Sequence, residues 1–192
     1  MDNYDLARSI LGIDFISPED IMKSRKGVIY TEEQLAKFGE TVPSQEILEL
    51  CRDNNFMLIA GPNRPMSILE IRTMKNGYFY PKEGGWYANQ KFSQKDKVET
   101  KWYMIHKNHV PESTSKNWEE QQPLISDVET VPNVTEFTWA ITTYKAVRDV
   151  YLFGNGIHIR TSSLDSDGDH VFVGNFGVKG LYVGYSCDRI PR

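Results

Sequence analysis

The chain has 192 residues, of which 40% are apolar and 25% charged, and a formal net charge of −4. This length is enough for a domain with a sizeable core, and the composition is that of a globular protein, not a disordered or fibrous one. The slightly acidic balance excludes a global basic surface for nucleic acid or anionic lipid. Two distant cysteines do not indicate a disulfide framework, so we expect a reducing compartment.

Helix starts are well marked in the first half of the chain. Each begins with a residue type that caps helices: Ser17, Thr31, Ser44 and Ser67. The first is followed by a proline and two acidic residues, and the second and fourth are followed three residues later by Gln or Glu, which predicts capping boxes. We predict an N-terminal helical appendage over residues 1–42 and a second domain over 43–192.

Two segments in the middle of the chain predict strands. FMLIAG (56–61) is a short apolar run that Gly-Pro interrupts, as expected of a buried strand. VETKWYMIHK (98–107) alternates in the manner of a half-buried strand. The polar stretch after it, roughly 108–132, is predicted to be a long loop, and such loops tend to be functional or mobile.

A helix is predicted at 134–148. Asn133 and Glu136 have the spacing of a capping pair, and Phe137, Ile141 and Tyr144 fall on one stripe. The β-branched residues of this segment also fit a strand, and that alternative stays open here.

Three short β-like runs complete the chain: GIHIRT, HVFVG and LYVGY, separated by turns rich in glycine and aspartate. In the second run, Val171 and Val173 alternate with His170 and Phe172, so the two pairs should lie on opposite faces. Helices first and strands last indicate an α+β fold with a β-rich C-terminal half.

The turn LDSDGDH has the spacing of a calcium loop. Asp165, Asp167 and Asp169 alternate like the first oxygen ligands of an EF-hand, but the positions that need glycine and glutamate hold His170 and Phe176. We therefore predict an acidic turn between two strands. A calcium site at these three aspartates, serving a calcium-dependent carbohydrate-binding domain, is the weaker alternative.

No catalytic constellation is recognisable, so the sequence predicts that the protein is not an enzyme and has no cofactor. None of the four histidines stands in a motif with serine or cysteine, and GxGxxG, P-loop, HExxH and CxxC patterns are absent from the sequence. The aromatic- and glycine-rich segment around Trp86, and Trp102 after it, are compatible with a carbohydrate platform, although tryptophans in such a domain usually lie in the core. The basic cluster KSRKG (23–27) fits a solvated helix end.

The composition of the last 42 residues differs from that of the rest. Glu, Gln, Lys, Met and Trp make up 42 of residues 1–150 but only Lys179 among residues 151–192. These five are the types that codons ending in C cannot encode, which is the pattern expected where AAC-type codons are randomised at their adenines. Tyr, Ser, Gly and Asp on short turns are also typical of adaptable binding surfaces. Tight β-turns alone would favour part of the same bias.

Two stretches resemble a known family. PNVTEFTWAITTYKAVRDVYLFGNGIHIRTSSLDSDGDHVFVGNFGVKGLYVGYSCD (132–188) is similar to the C-terminal half of the variable proteins of diversity-generating retroelements, and SQEILELCRDNNFMLIAGPNRPMSILEI (44–71) resembles their front part. The resemblance implies a bacterial, phage or mobile-element origin and a C-type-lectin fold within 43–192. It also implies a ligand-binding face that the retroelement rewrites at about 160–192.

Carried onto this chain, the resemblance places the 134–148 helix and the 157–160 strand in the scaffold. The varied face would draw on aspartates, aromatic residues and small polar residues: Asp165, Asp167, Asp169, His170, Phe172, Asn175, Phe176, Tyr182, Tyr185, Ser186, Cys187 and Arg189. The expected partner is a protein or carbohydrate ligand, with no nucleic acid. A structural or assembly protein of a phage or mobile element is the alternative function.

Both ends of the sequence bear on these expectations. Members of the family continue into a closing strand, whereas this sequence stops at Pro191-Arg192, so we expect either a fragment or the loss of that strand. The N-terminus lacks the features of a secretory signal, and no apolar run approaches the length of a membrane span. We expect a protein that is cytoplasmic as synthesised, and particle-associated or exported by a non-classical route if it leaves the cell.

Overall fold

The structure, a computed structural model, describes residues 2–154, 156–185 and 188–189. Within them the helices are α1 (Asn3–Leu11), α2 (Pro18–Ser24), α3 (Glu32–Glu40), α4 (Gln45–Asp53), α5 (Ile68–Met74), α6 (Phe92–Lys95), α7 (Trp118–Gln121) and α8 (Val134–Arg148). The strands are β1 (Phe15–Ile16), β2 (Phe56–Ala60), β3 (Phe79–Tyr80), β4 (Trp102–His106), β5 (His158–Leu164), β6 (His170–Gly177) and β7 (Gly180–Tyr185). The fold is α+β, as the order of predicted elements indicated.

The predicted capping residues stand at the starts of their helices. Ser17, Thr31 and Ser67 each form a capping box at the start of α2, α3 and α5, and the Ser44 hydroxyl accepts from the third N–H of α4. Asn133 and Glu136 cap α8 reciprocally, at 2.9 Å in both directions. The 134–148 segment is therefore a helix, and the strand alternative is wrong.

The chain divides into two compact units that differ from the predicted domains. Unit 1 comprises Met1–Met66, Val98–Lys107 and Trp139–Leu152, and unit 2 comprises Ser67–Lys97, Asn108–Thr138 and Phe153–Arg192. The sequence predicted a boundary at 42/43, but α1 and α4 bury their apolar residues in one cluster: Ala7, Leu11, Phe15, Leu48, Cys51 and Leu58. The first 42 residues are thus part of unit 1 and not an appendage to it.

Unit 1 is built on a three-stranded sheet in the order β1-β2-β4. β1 is parallel to β2, and β4 is antiparallel to it, with Leu58 opposite Met104. The indole of Trp139, on the unit 1 part of α8, is fully buried and donates to the Ala60 carbonyl at 2.9 Å. This bond fixes the helix to the end of the central strand.

The basic cluster at 23–27 is only partly solvated, contrary to the sequence interpretation. Lys23 and Lys26 are exposed, but Arg25 is buried. Its guanidinium lies 4.5 Å from the centre of the Trp139 ring and donates to the Thr142 hydroxyl. Arg25 is therefore a core residue of unit 1.

Unit 2 contains a four-stranded sheet in the order β3-β7-β6-β5. β5, β6 and β7 form an antiparallel meander, and the short β3 runs parallel to β7. The N-terminal turn of α8 is joined to β5, because the Ser163 hydroxyl accepts from the Val134 N–H at 2.9 Å. We call these four strands the C-terminal sheet.

The predicted loop at 108–132 contains helical structure. Asn117 and Glu120 form a capping box for α7, and a 3-10 turn (Gln122–Leu124) follows it. The guanidinium of Arg160 on β5 donates to the Lys116 carbonyl and to the Gln121 side chain, both at 2.9 Å. The segment is thereby tied to the sheet.

Candidate functional site

The C-terminal sheet has one face that belongs to the core. Val171 and Val173 on β6 are fully buried, and Val173 lies opposite Val183 on β7. Phe172 has the opposite orientation because side chains alternate along a strand, and it lies opposite Gly184. The predicted alternation of the valines with Phe172 thus separates the core face from a second, ring-bearing face.

The second face is a cluster of aromatic rings that lie over a glycine. The Tyr182 ring stacks beside Phe172 at 5.9 Å and 30°, and His158 on β5 meets Phe172 at 4.8 Å. A Cβ atom on Gly184 would clash with the Phe172 ring and would come within 2.6 Å of the Tyr182 ring. Gly184 therefore leaves the room that the two rings occupy.

An open depression of about 330 Å³ lies on this face. It is lined by His158, Phe172, Asn175, Tyr182 and Tyr185, and we call it the aromatic depression. Phe172 is only 4% exposed and forms its floor, whereas Tyr182 and Tyr185 are 37% and 54% exposed. Four of these five residues belong to the predicted variable surface, so the structure brings that part of the prediction together.

Tyr80 stands beside the depression, and a buried arginine holds the segment that carries it. The Tyr80 ring lies 6.4 Å from Tyr182 at an angle of 31°. Arg72 donates to the carbonyls of Pro81 and Gly84 and to the Tyr87 hydroxyl at 2.8 Å. Burial raises the pKa of Tyr87, and the neighbouring Arg72 charge opposes this rise. Arg72 thus holds the segment after Tyr80, and the exposed Tyr80 ring lies next to Tyr182.

The tryptophans of the proposed carbohydrate platform are structural in this protein. The Trp86 indole donates to the Val183 carbonyl at 2.8 Å, and its ring packs against Phe92 and Tyr185. Trp102 packs on Phe15 and Phe38 in unit 1. Trp86 contributes to the depression indirectly, since its ring lies 4.6 Å from Tyr185.

Phe176 was predicted on the exposed face and is instead fully buried. The pairing of β6 with β7 shifts between Gly174 and Gly177, and Asn175 has a positive φ of 46°. This bulge interrupts the alternation, so Asn175 is exposed and Phe176 turns inward to meet Tyr78. The side-chain oxygen Oδ1 of Asn175 accepts from the Gly156 N–H at 3.0 Å.

Two aspartates of the LDSDGDH turn accept hydrogen bonds from backbone N–H groups. Asp165 uses its carboxylate to accept from the N–H groups of Asp167 and Asp169, at 2.8 and 3.1 Å, and Asp169 accepts from the Asp188 N–H. No group of three His, Cys, Asp or Glu side chains among the described residues is placed to hold a metal ion. Within that part of the chain, the calcium alternative therefore lacks its site.

His170 and Asp169 belong to a second cluster, which holds Asp188. The His170 Nδ1 and the Asp188 carboxylate are 2.6 Å apart, and the same carboxylate accepts from the His170 N–H. The Trp118 ring stacks on His170 with 3.6 Å between the ring centres, and the Trp118 backbone N–H donates to the Asp188 carbonyl at 3.0 Å. We call this cluster the Asp188 clamp, because it fixes Asp188 to the start of β6 and to α7.

The remaining predicted residues fall outside both clusters. Asp167 and Arg189 are exposed, and Ser186 and Cys187 lie outside the described residues. Sequence reasoning missed His158, which it assigned to the scaffold strand, and Tyr80. The alternation of His158 with Ile157 and Ile159 is the signal that could have identified the histidine.

Comparison with protein-family models, curated proteins and solved structures found no match to this chain. Among the described residues, no helix has both the length and the apolar character that crossing a membrane requires.

Proposed function

We propose that this protein is a non-enzymatic ligand-binding protein, and that the ring-bearing face of its C-terminal sheet is the binding surface. One observation carries the proposal: Phe172, Asn175, Tyr182 and Tyr185, four residues of the predicted variable surface, line a single open depression. The ligand would be a protein or a carbohydrate.

The side chains around the depression suit recognition. Tyr182 and Tyr185 offer large amphipathic surfaces at a low cost in conformational entropy, and Asn175 offers adaptable hydrogen bonding. The core side of the same strands is fixed by Val171 and Val173, which are fully buried. A surface of this kind can change its exposed residues without loss of the packing beneath it.

Diversification by a retroelement is part of the same proposal. Its support is the near absence of Glu, Gln, Lys, Met and Trp from residues 151–192, together with the resemblance of 132–188 to the variable proteins. The C-type-lectin fold and the bacterial or phage origin that this resemblance implies also belong to the proposal. The exposed rings of the aromatic depression would then be the diversified positions.

Sequencing the gene with its flanking few kilobases tests this proposal. We expect an imperfect repeat of the 3′ end that differs mainly at adenines, close to a reverse-transcriptase gene. A gene without such a repeat, whose tail is invariant among isolates, would overturn diversification and leave an α+β protein with an aromatic surface of another origin.

A further inference from the structure

The chemistry of the aromatic depression narrows the class of its ligand. Among the described residues that line it, namely His158, Phe172, Asn175, Tyr182 and Tyr185, none carries a carboxylate, an ammonium or a guanidinium group. A charged ligand buried against such a surface would lose hydration without gaining an opposite charge. The lining therefore favours an uncharged ligand.

The exposed rings of Tyr182 and Tyr80 lie next to each other. Tyr182 lies at 30° to Phe172 and at 31° to Tyr80, and Gly184 leaves room for the Tyr182 and Phe172 rings above the strand. The face of an aromatic ring is the negative part of its quadrupole. Such a face attracts the weakly positive C–H groups on one side of a pyranose ring.

Polar groups surround this apolar floor. The hydroxyls of Tyr182 and Tyr185 and the Nδ2 group of Asn175 supply donors and acceptors at the edge of the depression. The volume of about 330 Å³ lies at the lower end of the range of about 300–1,000 Å³ for small-ligand sites. One or two sugar rings suit a site of this size and polarity.

We propose that the aromatic depression binds an uncharged sugar, a mono- or disaccharide unit free or at the end of a glycan, by stacking on Tyr182 and Tyr80. This inference rests on the proposed ligand-binding function and names its substrate class. Binding needs no metal ion, since the stacking surface and the hydrogen-bonding groups are all side chains of the protein.

The test is an array that carries neutral glycans, sialylated and sulfated glycans, and proline-rich peptides, probed with the full chain. We expect binding to neutral glycans that EDTA does not change. Calorimetry with a free neutral sugar from the array should show affinity weakened by about tenfold or more in Tyr182→Ala, and weakened less in Tyr182→Phe, which keeps the ring.

Tyr151→Ala is the matched control. Tyr151 is 36% exposed, close to the 37% of Tyr182, but it lies in unit 1. Its replacement should leave sugar affinity within roughly twofold, a shift of at most about 0.4 kcal/mol where tenfold is about 1.4 kcal/mol. Circular dichroism of each variant checks that it is folded.

Other outcomes overturn the inference in distinguishable ways. Binding only to acidic glycans, or neutral-sugar binding that survives Tyr182→Ala in a folded protein, would exclude the stacking site. If the protein binds a proline-rich peptide but no sugar, and Tyr182→Ala abolishes that binding, the sugar ligand is wrong but the proposed ligand-binding function stands. If Tyr182→Ala weakens binding to no probe on the array, and the tail is invariant among isolates, both the sugar ligand and the proposed function are wrong.

Discussion

Gly184 allows the aromatic depression to exist. It lies opposite Phe172 in the β6–β7 ladder, and the Phe172 and Tyr182 rings occupy the space that a side chain would take. A glycine inside a strand commonly marks the close approach of another group, and here that group is a pair of rings.

Gly184→Ala should lower the free energy of unfolding by about 1–3 kcal/mol, because the added methyl group has to displace one ring. Urea denaturation measures the change. Gly177→Ala is the control, since Gly177 lies on β6 with open space around its Cβ position. Equal effects of the two substitutions would contradict the packing described for the rings.

Tyr144 makes the stability of unit 1 sensitive to alkaline pH. Burial and a hydrogen bond to the Asp14 carboxylate raise the pKa of Tyr144 to about 12, whereas an unfolded chain has a tyrosine pKa of about 10. A raised pKa in the folded state means that the stabilising contribution is complete below pH ~10 and is lost as the pH rises towards ~12.

The Tyr144→Phe variant should therefore lose less stability than the wild type between pH ~10 and ~12. Some dependence on pH remains, because burial also raises the pKa of Tyr30 and of Tyr87. Urea denaturation midpoints at a series of pH values give the slope of stability against pH. A slope identical to that of the wild type would show that Tyr144 ionises in the folded protein as readily as in the unfolded chain.

The Asp188 clamp joins three elements: the turn before β6, α7 and the segment that follows β7. Its carboxylate meets both the ring and the N–H of His170, and its backbone meets Asp169 and Trp118. The carboxylate is only 23% exposed, so its hydrogen bonds are partly protected from water.

Asp188→Asn should lower the free energy of unfolding by about 1.5–3 kcal/mol, the range for a hydrogen bond to a charged group. It should also increase hydrogen exchange at the Trp118 N–H, which donates to Asp188. Asp167→Asn is the control, because Asp167 is exposed and joins the turn through its backbone N–H. Unchanged exchange at Trp118 in Asp188→Asn would contradict the clamp.

The Asp165 turn gives a test of the calcium alternative. Asp165→Ala removes the acceptor of two backbone N–H groups, so the melting temperature should fall, by an amount equivalent to about 1 kcal/mol. The fall should be the same in calcium and in EDTA. A melting temperature that rises with calcium in the wild type but not in Asp165→Ala would restore the metal site.

Local chemistry made the helices predictable and left parts of the sheet unpredictable. Capping residues such as Thr31 and Asn133 act within one turn, so their effect is visible in the sequence. The burial of Phe176 depends on a bulge in the pairing of β6 with β7, which is a long-range property. Trp118 likewise stacks on His170, a partner far along the chain, and no local pattern signals that contact.

The candidate site was likewise predictable only in part. Composition identified the tail, and alternation placed Phe172 on the face opposite the valines. His158 was assigned to the scaffold and Tyr80 lies outside the biased tail, and only the pairing of their strands brings them to Tyr182. Composition and alternation therefore found the lining residues on β6 and β7 and missed His158 and Tyr80.

At the scale of the whole molecule, each compact unit is assembled from three segments of the chain. No single cut in the sequence separates the two units, which is why a boundary at 42/43 does not coincide with the packing. Unit 2 contains both residues 153–192 of the biased tail and the Ser67–Lys97 segment that carries Tyr80. The proposed binding face is thus a property of unit 2 as a folded whole, not of the tail alone.

The most direct test of the binding face is the pattern of substitution at residues 158–185 among copies of this gene from many isolates. The account predicts frequent changes at Asn175, Tyr182 and Tyr185, which line the depression, and conservation of the buried Val171, Val173 and Phe176. Changes confined to the buried positions, or spread evenly over exposed and buried ones, would contradict a diversified binding surface built on a fixed core.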